Sequence, residues 1–213
     1  IRGSQGRVTM SYRNKGQSAI SDLKVSLTDT ASLLRVQAAD LGSSLAVGTT
    51  QQQVIMVECM KPAHPGPTVT FSYTDGSGNT HDNTLSMPLA MTNFNEPLNL
   101  STDEFQKKWD MLVGGGREVS ETIMSSKVTS VGQISNTLSS ALKMGVVPSS
   151  PDAVLGAASL KTGTLTASNE KISIGCLVRI QLDAMSGMVS IGVRTLHPAA
   201  TAGTLGIIKE LLV

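Results

Sequence analysis

The sequence predicts an α+β protein, in which a β-sandwich occupies residues 1–96 and a mixed layer of helices and strands occupies residues 97–213. Three observations lead to this class. Short alternating or β-branched runs recur between turn residues throughout the first part. The alternation stops at Pro97, which cannot continue a central strand. Hydrophobic residues at 40% and charged residues at 15% describe a chain with enough apolar side chains for a packed core.

The first part contains six predicted strands. They cover residues 7–12, 23–28, 34–38, 52–60, 68–74 and 80–89. The last two are joined by Asp75-Gly76-Ser77-Gly78-Asn79, whose residues tolerate the positive φ values that a hairpin loop requires. Two packed sheets are the economical arrangement for six short strands.

The second part opens with a helix predicted over residues 101–113. Ser101 and Glu104 have the spacing of a capping box, which marks a helix start. Phe105 and Trp109 lie one turn apart on the apolar side of this helix. The three consecutive glycines that follow stop it.

The rest of the second part is predicted as two helices, four strands and a closing helix. The two helices cover 117–125 and 133–143, the strands cover 153–160, 163–167, 172–182 and 188–195, and the closing helix covers about 200–212. Because successive side chains of a strand alternate between its faces, Ile174 and Ile191 belong to the apolar face of the last two strands. Arg179 and Arg194 belong to the opposite face, so two arginines are expected on the same side of neighbouring strands.

Charge and cysteine usage narrow the function classes. Seventeen Lys and Arg against sixteen Asp and Glu leave a formal charge of +1, so there is no long-range field to attract nucleic acid or an anionic membrane. No stretch has the roughly 20 apolar residues of a bilayer crossing. Cys59 and Cys176 lie in apolar runs, which favours free thiols in a reducing compartment. The chain begins without a start methionine or a secretory signal, and we interpret it as a fragment of a longer protein.

The sequence predicts no metal site, no cofactor and no catalytic constellation. His64, His81 and His197 stand alone, without the closely spaced partners of a metal site. Neither a nucleophile elbow nor a phosphate-binding loop is present. The alternation places Cys176 on the apolar face, where a thiol is a poor nucleophile. These features favour a binding function over an enzymatic one.

Trp109 is the sole tryptophan, and the pattern allows two interpretations. On periodicity alone, it is a core anchor of an amphipathic helix. Alternatively, the indole lies partly exposed beside Arg179 and Arg194. An apolar slot next to cations would suit a peptide that offers an aromatic ring and a carboxylate. Spacing alone does not decide between the two.

Particular runs in both halves carry a family resemblance. They are Gly6-Arg7, Asn14-Lys15, Gln52-Gln53-Val54-Ile55, Glu58-Cys59 and residues 89–97 in the first half, and Phe105 with Trp109, Glu118-Val119, Ser140-Ala141-Leu142, Gly156-Ala157, Ile174-Gly175-Cys176-Leu177-Val178-Arg179 and Arg194-Thr195 in the second. In this order and spacing they resemble the appendage, or ear, of alpha-adaptin, the large subunit of the endocytic clathrin adaptor complex. The resemblance runs nearly end to end, and its last two runs are specific for alpha over beta appendages.

The resemblance implies an immunoglobulin-like β-sandwich followed by an α/β platform subdomain. In the family, a platform groove takes short Asp-Pro-Phe, Asp-Pro-Trp or Phe-x-Asp-x-Phe peptides of endocytic accessory proteins. These peptide-binding roles carry over to Trp109, Phe105, Arg179, Arg194 and Glu118. The resemblance also implies that the remainder of the chain binds other adaptor subunits and that the contact with clathrin is indirect. The implied location is the cytoplasmic face of the plasma membrane in clathrin-coated pits, without insertion into the membrane.

The chain also departs from the family pattern. Gln106 stands where a second phenylalanine is expected, Gln181 where a glutamate is expected and Ser190 where another arginine is expected. This groove should therefore be less aromatic and less basic, and these three positions are candidates for setting its motif preference. A second family site, on the sandwich, has its aromatic wall at Ser11 and a glutamine at Thr50, so the resemblance gives that site no support here. The family pattern also leads us to expect a further strand before the first residue.

Three alternatives remain open at this stage. The nearest is an appendage of another vesicle coat, of the beta-adaptin or coatomer type, which shares the two-part plan. A secreted or adhesive β-sandwich protein is less favoured, and a disulfide between Cys59 and Cys176 would support it. An enzyme would need a polar pocket with convergent titratable groups, to which no spacing points.

Overall fold

The computed structural model describes residues 1–29, 32–147, 149 and 152–213. The helices and strands follow one another in a β-rich first half and a mixed second half. They are β1 (Gln5–Arg13), β2 (Ser21–Thr28), β3 (Leu34–Ala38), β4 (Thr50–Cys59), β5 (Thr68–Thr74), β6 (Thr80–Ser86), a 3-10 helix (Met91–Phe94), β7 (Asn95–Pro97), α1 (Thr102–Met111), β8 (Glu118–Met124), α2 (Val131–Ser140), β9 (Gly145–Val147), β10 (Ala153–Leu165), β11 (Lys171–Asp183), β12 (Met188–Thr195) and α3 (Pro198–Leu212).

The first half is a sandwich of two antiparallel three-stranded sheets. One has the order β1-β4-β3 and the other the order β2-β5-β6. This is the B-E-D and C-F-G arrangement of the immunoglobulin fold, so the predicted sandwich is confirmed. The strand that would complete the first sheet beside β1 has no counterpart among the described residues, and that further strand stays a prediction.

The hairpin between β5 and β6 forms as predicted. The Oδ1 atom of Asp75 accepts hydrogen bonds from the backbone N–H groups of Ser77 at 2.8 Å and Asn79 at 3.0 Å. Gly78 supplies the positive φ value of the turn, at 82°. The strand that follows ends earlier than predicted, at residue 86 rather than 89, because Pro88 has no N–H group to donate to a neighbouring strand.

The second half is built on a six-stranded antiparallel sheet. The order is β7-β10-β11-β12-β8, and β9 pairs beside β7 along the same edge of β10. The side chains of Val178, Ile180, Ile191 and Val193 are buried on one face, which α2 and α3 cover. Of the helices in the described ranges, α1 alone lies over the other face, and part of that face faces a cavity. Among the described residues, no helix has the length and hydropathy of a membrane span.

The prediction of a helix over residues 117–125 is wrong, because this segment is strand β8. Val119 and Ile123 are four residues apart, so they fit a helical stripe and also one face of a strand. The β-branched side chains of these residues and of Thr122 favour the strand, and the segment pairs along its whole length with β12. Residues 153–160 and 163–167, predicted as two strands, are largely one strand, β10, with an irregularity between Lys161 and Leu165.

One continuous core joins the two halves. Buried Ile55 and Cys59 of the sandwich belong to the same apolar cluster as Phe94 and Ile208. Strand β7, at the predicted division 96/97, already pairs with β10 in the second sheet. The two halves therefore share their interior, and the division at 96/97 stays a prediction.

Candidate functional site

The open face of the second sheet, beside α1, forms a groove. Its outward-facing residues stand in three rows across β11, β12 and β8, which are Gln181–Ser190–Thr122, Arg179–Gly192–Ser120 and Leu177–Arg194–Glu118. The cavity between these rows and α1 has a volume of about 470 Å³ and is lined by Trp109 and by both predicted arginines. Trp109, Arg179 and Arg194 therefore lie together around one cavity, and their role in peptide binding stays a prediction.

Helix α1 is held over this face by a small apolar cluster of its own. The capping box forms as predicted, with the Ser101 hydroxyl accepting from the N–H group of Glu104 and the Glu104 carboxylate accepting from the N–H group of Ser101. From this start, Phe105 and Trp109 project onto the sheet and pack with Leu155 and their neighbours. Phe105 is completely buried and stacks on the indole at 5.6 Å between ring centres. It supports the tryptophan from inside and does not line the groove.

Only 7% of Trp109 is exposed, so the indole does not lie open to solvent. The tip of the indole lies directly over Gly192, where an added methyl group would be 3.1 Å from Cη2. A glycine at this position lets the flat ring lie on the sheet. Both interpretations of this tryptophan therefore hold in part, because it anchors a core cluster and one edge of it lines the groove.

Arg194 is fixed by several partners at once. Its Nε and Nη2 atoms donate to Oε1 of Glu118, and its Nη1 atom donates to the carbonyl oxygen of Trp109 at 2.7 Å. The guanidinium carbon stands 4.5 Å from the indole centroid, a cation–π distance. Only 13% of the side chain is exposed. The charge of Arg194 is thus already neutralised within the fold.

Arg179 also lies over the indole, at 5.2 Å from its centroid, but it is held more loosely. Its Nη2 atom donates to Oε1 of Gln106 at 3.0 Å, across the groove from β11 to α1. Gln106 in turn donates from Nε2 to Oδ1 of Asp110 at 2.8 Å. Arg179 has no carboxylate partner in the described part of the chain.

The other predicted positions supply uncharged polar groups. Gln181 donates to Oδ2 of Asp152 at 3.0 Å, and the hydroxyls of Ser190 and Thr122 are hydrogen-bonded at 3.1 Å. A smaller cavity of about 280 Å³ lies on the other side of Arg179 and Gln181, which line both spaces. These positions add no charge to the groove, and their effect on motif preference stays a prediction.

Four features of the groove were not anticipated from the sequence. They are the flat floor at Gly192, the hydroxyls of Ser120 and Thr122, and the carboxylate of Asp110 behind Gln106. The strand residues were missed because β8 was taken for a helix. Alternation along that segment was the signal that could have found them.

The remaining chemistry does not point to catalysis. Within the described ranges, no group of three or more His, Cys, Asp or Glu side chains could hold a metal ion. Both cysteines are free and buried. Burial raises the pKa of Cys59 to about 12 and that of Cys176 to about 11, so neither thiol ionises near neutral pH.

The sandwich side offers less to a partner at the two positions of the second family site. Ser11 and Thr50 are both exposed, on the neighbouring strands β1 and β4. Neither supplies the aromatic wall or the amide that the family pattern has there. The binding role of these positions therefore stays without support.

The chain consists of a β-sandwich and a platform that share one core. The open face of the platform carries a groove formed by a tryptophan and two arginines. These features define a two-part appendage domain. Comparison with known families agrees. Residues 1–88 match the adaptin C-terminal domain, and residues 93–212 match the alpha adaptin AP2 C-terminal domain. The chain belongs to the alpha-adaptin appendage family. The predicted resemblance is thereby confirmed, and the coatomer-type and secreted alternatives are set aside.

Two similar proteins are alpha subunits of AP-2 complexes. The chain is 24% identical to AP-2 complex subunit alpha-2 of Dictyostelium discoideum, over 98% of its own length and 20% of that protein. It is also 24% identical to AP-2 complex subunit alpha-1 of Arabidopsis thaliana, over 100% of its own length and 20% of that protein. The chain spans about a fifth of the length of these relatives.

Proposed function

We propose that this chain is the non-enzymatic, peptide-binding appendage of a clathrin adaptor of the AP-2 type. It recruits endocytic accessory proteins through short motifs that combine aspartate with an aromatic residue, such as Asp-Pro-Phe, Asp-Pro-Trp or Phe-x-Asp-x-Phe. The family membership and the geometry of the groove support this proposal. Its setting is the cytoplasmic face of the plasma membrane in clathrin-coated pits.

The observation that carries the proposal is the contrast between the two arginines. Arg194 forms an ion pair with Glu118, whereas Arg179 faces the groove without a carboxylate partner in the described part of the chain. A guanidinium in this situation binds an incoming carboxylate by a charge-assisted hydrogen bond. We assign Arg179 to the acidic residue of the ligand and Arg194 to holding the indole in place.

The aromatic residue of the ligand would lie beside this cation. The floor at Gly192 and the edge of Trp109 form its apolar contact, and the cavity of about 470 Å³ is in the size range of small ligand sites. Gln181 and Ser190 are uncharged, so among the described residues that line the groove Arg179 is the cation without a carboxylate partner. We therefore expect a preference for motifs with a single acidic residue.

The small contact area implies weak, rapidly exchanging binding. Interfaces well below the standard size give low affinity, and several motifs on one partner gain from effective concentration at a coat lattice. The rest of the longer protein would connect the appendage to other adaptor subunits, and the coat would be reached indirectly. With a formal charge of +1, nucleic acid and direct membrane insertion are not expected as binding modes.

Isothermal titration with matched peptides tests the proposal. An Asp-Pro-Trp peptide should bind in the micromolar range or more weakly, and an Asn-Pro-Trp peptide should bind about 10- to 150-fold more weakly still, the range of one charge-assisted hydrogen bond. Arg179→Ala should abolish the difference between the two peptides, whereas Arg7→Ala, which removes an exposed arginine on the sandwich, should preserve it. If the wild-type protein binds neither peptide, or binds both equally, the proposal fails.

A further inference from the structure

We propose, building on the function above, that Arg179 is a movable cover over Trp109, held closed by Gln106 and Asp110, and that the acidic residue of a ligand opens it. The indole is nearly sealed in the described structure, yet it forms one wall of the groove. A ligand ring can touch the edge of the indole in this state, but it can stack on the face only if one of the groups covering that face moves. The contacts of each covering group identify which one does.

Three of the groups that cover the indole in the described part of the chain are fixed. Phe105 is completely buried, Gly192 belongs to the backbone of a central strand, and Arg194 is tied to a carboxylate and a carbonyl oxygen. A further covering group, Arg179, is half-buried, stands farther from the ring, and within the described ranges has one hydrogen bond, to an exposed glutamine. Displacing it breaks this exposed hydrogen bond and the contact with the indole, but none of the bonds that hold Arg194.

Gln106 is oriented for this role by its own neighbour. Its amide group donates to the Asp110 carboxylate one helical turn away, and this leaves the amide oxygen directed at the guanidinium of Arg179. The negative charge of Asp110 behind the amide further favours a cation in front of it. The three side chains form a chain of two hydrogen bonds from α1 to β11 across the opening of the groove.

Arg179 also divides the space that a ligand can occupy. With Gln181 it lines both the cavity of about 470 Å³ and that of about 280 Å³ on its other side. Moving the guanidinium joins the two into one longer groove. An extended peptide carries the group that moves it, because a ligand carboxylate competes with the amide oxygen of Gln106 for the same N–H donors. Opening and acid recognition are therefore one event.

Trp109 is the only tryptophan in the chain, so its fluorescence reports on this cover without any ligand. We would measure quenching by acrylamide in the wild type and in two variants, Gln106→Met and Asp110→Ala. Gln106→Met keeps the length of the side chain and removes the amide, whereas Asp110→Ala keeps the amide and removes its support. Lys107→Ala, an exposed change on the same helix, is the matched control.

We expect the quenching constant to rise by about 1.5- to 5-fold in both variants, the factor that an exposed charge-assisted contact represents. The affinity for the Asp-Pro-Trp peptide should rise by a similar factor, because the binding-competent state is more populated. Lys107→Ala should change neither value, and far-UV circular dichroism should show an intact fold in each protein.

The two measurements separate the inference from the proposed function. Unchanged quenching in both variants overturns the cover, whatever the peptides do. Increased quenching with unchanged peptide affinity overturns the coupling between opening and binding. If quenching increases but none of the proteins binds the peptides, the result supports Arg179 as a cover over the indole and refutes the proposed function.

Discussion

Arg194→Met separates a structural arginine from a ligand-binding one. Methionine keeps the apolar stem of the side chain and removes the guanidinium. The change deletes the paired bonds to Glu118, the bond to the Trp109 carbonyl and the cation–π contact at 4.5 Å. Glu118 stays about a third exposed, so water replaces its lost partner, and the Trp109 carbonyl keeps its bond from the N–H group of Leu112 at 3.2 Å.

These contacts set the expected magnitude. A hydrogen-bonded charge pair contributes about 1.5–3 kcal/mol and a mostly buried cation–π contact about 1 kcal/mol, so Arg194→Met should lower the free energy of unfolding by about 2–4 kcal/mol. For a chain of this size that is a decrease in Tm of roughly 5–15 °C. Arg179→Ala removes an exposed contact and should cost less than about 1 kcal/mol.

Urea denaturation followed by far-UV circular dichroism measures both variants. The expected result is a clearly lower midpoint for Arg194→Met and a nearly unchanged midpoint for Arg179→Ala. The assignment of roles is refuted if Arg194→Met unfolds at the wild-type midpoint and loses peptide binding, because Arg194 would then be the cation that the ligand uses.

Three further predictions concern the groove floor, the sandwich hairpin and the thiols. Gly192→Val should push the indole off the sheet, shift its emission maximum and lower stability by about 1–3 kcal/mol, and an unchanged emission spectrum would contradict the close contact. The bond from His81, with two backbone N–H groups, lowers the pKa of Asp75 to about 2, so its contribution to stability is present above pH 4 or so and is lost as pH falls towards 2; carboxyl-carbon NMR should show this pKa and its rise in His81→Ala. Cys59 and Cys176 should not react with a thiol reagent at pH 8 in the folded protein and should both react in urea; fast labelling of the native protein would show that they are not sealed.

Local signals predicted much of this fold. The capping box at Ser101 and Glu104 placed the start of α1, and the asparagine and glycine turn after Asp75 placed a hairpin, because both depend on contacts a few residues apart. The two arginines were placed on one face by alternation alone. In each of these cases the chemistry that decides the structure lies within one short segment.

Sequence analysis was wrong, or left two interpretations open, where contacts between distant parts of the chain determine the structure. The spacing of Val119 and Ile123 fits both the period of a helix and that of a strand, and pairing with β12 favours the strand. The exposure of Trp109 depends on the arginine side chains of β11 and β12 and on the absence of a side chain at Gly192. No spacing within α1 contains that information.

The interior shared by the two halves has a practical consequence for dissecting the protein. Met91 and Phe94 are almost fully buried between the sandwich and the platform, so cutting the chain there would expose apolar surface on both pieces. Neither piece should be obtained as a stable fragment, and a chimaera that joins the sandwich of one relative to the platform of another would need its seam repacked. The whole domain is therefore the smallest unit with which to study or transplant the groove.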